Sequence, residues 1–363
     1  MSDSSTMAVR PEACFDEATL ARYLAEHLPG FRGPLRVEQF SGGQSNPSYL
    51  LTAADAKYVL RRKPAGHLLA SAHAVDREYV VTGALAKHSS VPVARPHLLC
   101  TDDTIIGTQF YVMDYIEGRV FWDTSFPEVA REQRAAYFDA MNATLAQLHS
   151  VDPVAIGLER FGRPLGYMAR QLSRWSKQYA EDSEVAGRVP AMEQMFDWLG
   201  RNLPSNEQTA IVHGDFRCDN LIFHPSEPRV AAVIDWELST LGHPLADFAY
   251  HLMMYRMPTL AFPGLRDCDL NALNIPSEHS YVSEYCRRTG RAGIDELETY
   301  LAFSLLRLAG IFHGIRARMR RGTASSARAG EYAASVEAVA SLALASSRLA
   351  DLNPRSHVPI QRS

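Results

Sequence analysis

The 363 residues are 46% hydrophobic and 21% charged, which is enough apolar mass for a large buried core and, at usual domain sizes, for two units or one bilobal one. Lys and Arg number 37 against 41 Asp and Glu, a formal net charge of -4, so there is no global basic field for nucleic acid or for an anionic membrane surface. The five scattered cysteines, Cys14, Cys100, Cys218, Cys268 and Cys286, have none of the paired spacings of a zinc site, a redox pair or a disulfide framework.

The opening "MSDSSTMAVRPEA" lacks the apolar core of a signal peptide, and no run approaches the roughly 18 apolar residues of a membrane span. A cytoplasmic protein with no membrane partner is expected; nothing in the sequence sets its oligomeric state. In "FDEATLARYLAEHLPG" the spacing of Leu20, Leu24 and Leu28 predicts a helix that Pro29-Gly30 ends. "LRVEQF", "SYLLT" and "KYVLR" predict three consecutive antiparallel strands. "HAVDREYVVTGALAKHS" returns to helical spacing, and "HLLCTDDTIIGTQFYVMDYIEG" reads as two strands joined at "TDD". The expected fold class is therefore α+β: a five-stranded antiparallel sheet with one inserted helix over residues 1–117, then a larger, mostly helical part over 118–363. Tyr137, Met141, Leu145 and Leu148 open that helical part, and one β-rich insert from Ala210 to Trp236, "AIVHG", "NLIFH" and "VAAVID", interrupts it.

The insert contains "IVHGDFRCDN", in which His213, Asp215 and Asn220 crowd one loop after an apolar strand. A hairpin between "NLIFH" and "VAAVID" brings Asp235 back beside Asn220. A carboxylate and an amide oxygen at strand ends make a hard, oxygen-rich pair of the kind Mg²⁺ accepts while it keeps phosphates and waters as its other ligands. Asp215 is then left for proton chemistry. Taken one at a time, Asp215 and Asn220 are also ordinary turn-capping residues, but that role does not account for the three together.

"HGDFRCDNLIF" followed by "VIDWE" resembles the catalytic and metal-binding segments of the aminoglycoside phosphotransferase and choline kinase-like family, which shares the protein-kinase fold. The resemblance covers about residues 35 to 250. Its wider wording, "SGGQSNPSYLL", "LRRKPAGHLLASAHAVDREY", "RQLSRWSKQY" and "IDWELSTLGHPLADFAYHL", is similar to the kinase-like domain that some proteins carry joined to acyl-CoA dehydrogenase domains, and to its free-standing bacterial relatives. The resemblance implies ATP and Mg²⁺ as cofactors and a small-molecule hydroxyl as acceptor. It implies Asp215 as the catalytic base, Asn220 and Asp235 as metal ligands, and Arg61 at the position of the usual nucleotide lysine with Glu78 as its partner. Arg62 and Lys63 are neighbouring candidates for the phosphate contact. Gly42, Gly43, Gln44, Ser45 and Asn46 are implied over the phosphates, although a plain hairpin turn reads almost as well there, and Met113 and Tyr115 belong to the hinge "FYVMDYIEG". His213 and Asp247 are implied as structural braces.

The glycine loop lacks the GxGxxG spacing of protein kinases, and Trp236-Glu237 stands where those have Phe-Gly; both departures fit a small-molecule kinase. "RQLSRWSK", with Arg174 and Trp175, and "GIRARMRRGT", with Arg318 and Arg320, hold no Asp or Glu, whereas a polycationic aminoglycoside needs carboxylates. An anionic or acyl-CoA-like acceptor is expected, unless these arginines lie on a solvated helix face. Three alternatives stand beside this reading. One is an antibiotic kinase and one a catalytically silent nucleotide-binding module. The third is a metal-dependent phosphoesterase, in which His213, Asp215, Asp219, Asn220, His224, Asp235 and His243 surround two metals.

Overall fold

The structure is a computed structural model and describes residues 6–41, 46–64, 74–259, 263–324 and 328–352. In chain order the strands are β1 (Thr6–Met7), β2 (Arg36–Phe40), β3 (Ser48–Thr52), β4 (Lys57–Arg62), β5 (Pro96–Cys100), β6 (Phe110–Asp114), β7 (Ala210–Val212), β8 (Leu221–Phe223), β9 (Val230–Val233) and β10 (Thr240–Gly242). The helices are α1 (Glu17–His27), α2 (Val75–His88), α3 (Arg134–His149), α4 (Tyr167–Ala186), α5 (Pro190–Asn202), α6 (Pro244–Leu252), α7 (Leu270–Leu273), α8 (Glu278–Arg288), α9 (Leu297–Arg320), α10 (Ala329–Ala334) and α11 (Val336–Leu352). The chain divides into two compact units. The first is Met1–Val120 with Ile156–Leu158 and Asp219–Ser239; the second is Phe121–Ala155, Glu159–Cys218 and Thr240–Ser363.

In the first unit the five expected strands form the antiparallel order β2-β3-β4-β6-β5, and β1 adds a sixth by pairing Thr6 with Phe40 and Met7 with Gln39. A two-residue strand has no periodicity to read, so its pairing is set by tertiary contact. Asp16 caps α1 by accepting from the Ala18 and Thr19 amides at 2.9 and 3.0 Å. Leu20, Leu24 and Leu28 then pack with Val37, Tyr49, Leu51, Leu60, Phe110 and Val112 into one apolar cluster. Because successive side chains alternate across a strand, Arg61 and Arg62 on β4 leave its two faces. Arg62 goes to the α1 side, where it donates to the carbonyls of Ala13 and Ile106 at 2.8 and 3.2 Å and lies over Phe15 and Tyr49.

The expected β-rich insert is divided. Its first strand, β7, pairs with β10 inside the second unit, whereas the β8–β9 hairpin groups with the first. Backbone bonds explain this: Arg119 and Phe223 exchange N–H···O bonds of 2.8 Å, and the Val233 amide donates to the Pro92 carbonyl at 2.8 Å. Gly118 permits the approach, since a β-carbon there would stand 2.3 Å from the Phe223 carbonyl oxygen and 2.4 Å from Ile222 Cγ2. Gly118→Ala is therefore expected to cost about 1–3 kcal/mol of stability in urea unfolding, the range for forcing atoms into a packed site. Wild-type stability in that variant contradicts this account of the hairpin's attachment.

The second unit is built around α9, which is buried on all sides over most of its length and packs against α4, α5, α6, α10 and α11. Gly310 lets the α4 indole of Trp175 close on the α9 backbone, with Cε3 3.2 Å from where a β-carbon would be. Among the described residues no helix is long and apolar enough to cross a membrane.

Candidate active site

The unit boundary falls between Cys218 and Asp219, so Asp215 belongs to the second unit and Asn220 to the first. In the first unit Arg61 is the centre of a nearly buried polar cluster. Its Nε lies 3.1 Å from Glu78 Oε1 and 3.0 Å from Oε2, its Nη2 donates to Asp235 Oδ1 at 2.5 Å, and Glu237 Oε2 is 3.8 Å from Nη2. β-sheet register assembles part of this, because Arg61 pairs with Tyr111 across β4 and β6 and the Tyr111 hydroxyl donates to Glu78 Oε2 at 3.2 Å. Asn46 completes it, with Nδ2 donating to Glu78 Oε1 at 3.0 Å and to Glu237 Oε2 at 3.3 Å. Burial pushes the Glu78 carboxyl above its ordinary range, against the pull of Arg61. Burial likewise disfavours the Arg61 charge, but Glu78 and Asp235 outweigh it and raise the guanidinium pKa.

The β8–β9 hairpin places the two expected metal ligands at one end of its ladder. Leu221 pairs with Val233, and the Ile234 amide donates to the Asn220 carbonyl at 3.0 Å, one residue before Asp235. Asp235 has left-handed backbone at φ 65°, ψ 61°, a conformation that costs a non-glycine residue about 1–3 kcal/mol and concentrates at functional positions. The buried Trp236 indole donates to the Val233 carbonyl at 3.0 Å and anchors the turn.

In the second unit the loop that carries Asp215 is held from behind. Asp247 of α6 accepts from the backbone amides of His213 and Gly214 at 2.7 and 2.9 Å, and His149 Nε2 lies 3.2 Å from the same carboxylate. Burial opposes the charge on Asp247, yet the His149 hydrogen bond and the neighbouring His213 hold its pKa below the usual carboxylate range. His213 is fully buried and accepts the Asp215 amide on Nδ1 at 3.2 Å. Asp215 itself accepts from the Tyr250 hydroxyl at 2.8 Å and lies 3.5 Å from Arg217 Nε. Arg307 of α9 donates to the Gly214 carbonyl at 2.5 Å and stacks its guanidinium 4.5 Å from the Tyr250 ring centroid.

His251 braces the far side of the loop, with Nδ1 3.2 Å from the Phe216 carbonyl and Nε2 2.7 Å from the Tyr281 hydroxyl. Burial drives its pKa from 6.5 down to about 4. Between those values the unfolded chain takes up a proton that the fold refuses, so this residue lowers stability as pH falls from 6.5 to 4, by roughly 3 kcal/mol in all. His251→Gln is expected to flatten the pH dependence of urea unfolding across that window. An unchanged slope contradicts the assignment.

Other expected residues are placed less centrally. Gly42, Gly43, Gln44 and Ser45 lie outside the described residues. Met113 pairs with Val59 on β6, and Lys57 Nζ sits 5.4 Å from the Tyr115 ring centroid. Lys63 donates to Gln109 Oε1 at 2.7 Å. Arg174 is exposed, 5.7 Å from the Trp175 ring centroid. Several arginines at the end of α9 tie it to its neighbours. Arg320 donates to the Val185 carbonyl near the end of α4 at 2.7 Å, Arg321 bonds Asp182 at 2.9 Å, and Arg316 bonds Glu337 at 2.6 Å. Arg318 is exposed and folds back along its own helix over Gly314.

Asn46 as a bridge, Glu237, Tyr250 and Arg307 are the contacts that sequence reasoning missed. Glu237 carried a signal, since an acidic residue two positions after Asp235 stands where protein kinases have glycine. Arg307 carried another, as the one charge inside the apolar run "FSLLRLAGIF".

A profile described as the phosphotransferase enzyme family matches residues 36–276. Acyl-CoA dehydrogenase family member 11 of Gallus gallus is 44% identical over an alignment of 364 positions that covers 98% of this chain and 46% of that protein, so the chain spans less than half the length of this curated relative. The crystal structure of a candidate aminoglycoside phosphotransferase from Ralstonia eutropha is 44% identical, with a TM-score of 0.85 over 93% of this chain and 99% of that one. A ternary complex of an aminoglycoside phosphotransferase with ADP and hygromycin B has a TM-score of 0.59 over 90% of this chain and 98% of its own, at 14% identity, a likeness of fold alone.

Proposed function

Because the chain belongs to the phosphotransferase enzyme family and has its protein-kinase-like fold, we propose that it is a kinase moving the γ-phosphate of ATP to the hydroxyl of a small molecule. The observation that carries this reading is the Arg61 guanidinium fixed between Glu78 and Asp235. Phosphoryl transfer depends on positioning and charge neutralisation, and a preset cation beside a metal-ligand carboxylate supplies both for a polyphosphate. In this proposal residues 1–117, with Arg61, Glu78, Asn46, Met113 and Tyr115, serve the nucleotide, and residues 118–363 serve catalysis and the acceptor. That the structurally similar enzyme was solved with ADP supports ATP as donor, and the cytoplasm, where ATP and Mg²⁺ are abundant, is the proposed location.

The donor set fits Mg²⁺: Asp235 would offer a carboxylate and Asn220 an amide oxygen from the same end of the β8–β9 ladder, with phosphate oxygens and water as the other ligands. Bound there, Mg²⁺ neutralises charge on the transferring phosphate. Asp215, its rotamer fixed by Tyr250 and its loop by Asp247, orients the acceptor hydroxyl and takes its proton as the new bond forms. A phosphoesterase built on the loop histidines is disfavoured by their existing roles. His243 contacts the Asn206 carbonyl with Nε2 at 2.8 Å and accepts the Leu245 amide on Nδ1 at 3.2 Å, and His224 Nδ1 accepts the Glu227 amide at 3.2 Å.

Calorimetry of ATP binding with and without Mg²⁺ tests the nucleotide half directly. The wild type is expected to need the ion, and Asp235→Ala to lose the metal-dependent part of its affinity. Unchanged Mg·ATP binding in that variant removes Asp235 from the site.

A further inference from the structure

Arg307 differs from the chain's other deeply placed arginines. Arg61 meets Glu78 and Asp235, Arg256 meets Glu278 and Glu298, and Arg62 meets two backbone carbonyls. Arg307 is only 9% exposed, and its contacts are one carbonyl, that of Gly214, and the face of Tyr250. Among the described residues no carboxylate lies within ion-pair distance of it. Burial disfavours its charge, but Tyr167, Tyr250, Asp215 and Asp247 nearby outweigh that and keep it protonated, while only one of its N–H groups has a protein acceptor among the described residues. One turn along the same face of α9, Gly310 admits the indole of Trp175, whose N–H is buried with no acceptor among the described residues. The Arg307 guanidinium thus spends one of its N–H donors on the Gly214 carbonyl and lies against the tyrosine that holds Asp215, while the α4 indole N–H packed beside this stretch of α9 has no acceptor among the described residues.

We propose that Arg307 is the acceptor-recognition residue: it binds an oxyanion, carboxylate or phosphate, that the acceptor carries close to the hydroxyl to be phosphorylated. This rests on the kinase reading for the identity of the ligand as acceptor, and not for the presence of the anion site. The site moves the expected recognition of an anionic acceptor from Arg318 and Arg320 to a residue beside Asp215 itself. Trp175 is placed to donate from its indole to the same ligand and to cover its apolar part. A guanidinium donates bidentately to either oxyanion, so the two sources share one chemistry.

The test is calorimetric titration of the full chain, without nucleotide, with 3-hydroxybutyrate, glycerol 3-phosphate, the neutral 1,3-butanediol and the polycation kanamycin. At least one anion is expected to bind the wild type roughly 10- to 100-fold more tightly than the diol, the range of a charge-assisted hydrogen bond, with kanamycin weaker still. Which anion binds more tightly identifies carboxylate or phosphate as the source. Arg307→Gln is expected to erase the preference while Mg·ATP affinity stays at the wild-type value, and Arg307→Lys to keep part of it. If Arg307→Gln does not fold, the wild-type ratios and Arg307→Lys still decide. Equal binding of anions and diol, or undiminished anion binding in Arg307→Gln, overturns the proposal even where Mg·ATP binds normally. Loss of Mg·ATP binding in the wild type, with the anion preference intact, instead defeats the kinase reading alone.

Discussion

Replacing Asp215 by Asn is expected to lower turnover about 10²- to 10⁴-fold and to leave Mg·ATP affinity at the wild-type value. The magnitude is that of a positioned proton acceptor removed from a transfer step. The selectivity follows from where Asp215 sits. Its partners include Tyr250, Arg217 and the His213 ring in the second unit, while Arg61, Glu78 and Asp235 form their cluster in the first. Asn keeps the size of the side chain and still accepts from the Tyr250 hydroxyl, so the loop that Asp247 holds is undisturbed. Single-turnover rates and calorimetry on the same preparation separate the two effects. Near-normal turnover in Asp215→Asn assigns the proton to another group.

Arg61→Ala has two consequences that Arg62→Ala separates. Glu78 is left nearly fully buried, facing Asn46 and Tyr111 alone, and breaking such a pair from one side costs about 3–5 kcal/mol. The Michaelis constant for ATP is expected to rise as well, and to rise less in Arg61→Lys, which keeps the charge but loses the fork that spans Glu78 and Asp235. Arg62→Ala also destabilises, because Arg62 ties β4 to the Ala13 and Ile106 carbonyls, but it leaves the Michaelis constant unchanged. Urea unfolding read alongside ATP kinetics distinguishes the cases. An ATP defect in Arg62→Ala and none in Arg61→Ala reverses the assignment.

The sequence made some of this legible and hid the rest for identifiable reasons. Strand periodicity and turn residues located β2 through β6, because each is a run of five or six residues with one face on the apolar cluster. The hairpin that returns Asp235 to Asn220 was legible from two apolar runs flanking "PSEP". Its grouping with the first unit was not, since that depends on bonds from Arg119 and Pro92, roughly a hundred residues or more away, and on the missing side chain of Gly118. Arg318 and Arg320 stood out as a run of charge, yet charge runs at a helix end are also what caps a neighbouring helix, as Arg320 does for α4. Arg307 is inconspicuous in sequence for the reason that makes it informative in structure: a single charge surrounded by leucine, alanine and glycine is buried, and its environment appears only once α9 is folded against the loop.

The central claim is that the chain transfers phosphate from ATP to an acceptor hydroxyl. Phosphorus-31 NMR of the protein incubated with Mg·ATP and a pool of hydroxylated small metabolites reads that event itself. A new phosphomonoester resonance is expected to grow in step with ADP for the wild type and to be absent for Asp215→Asn. ATP left intact, or ADP appearing only with inorganic phosphate, contradicts the claim.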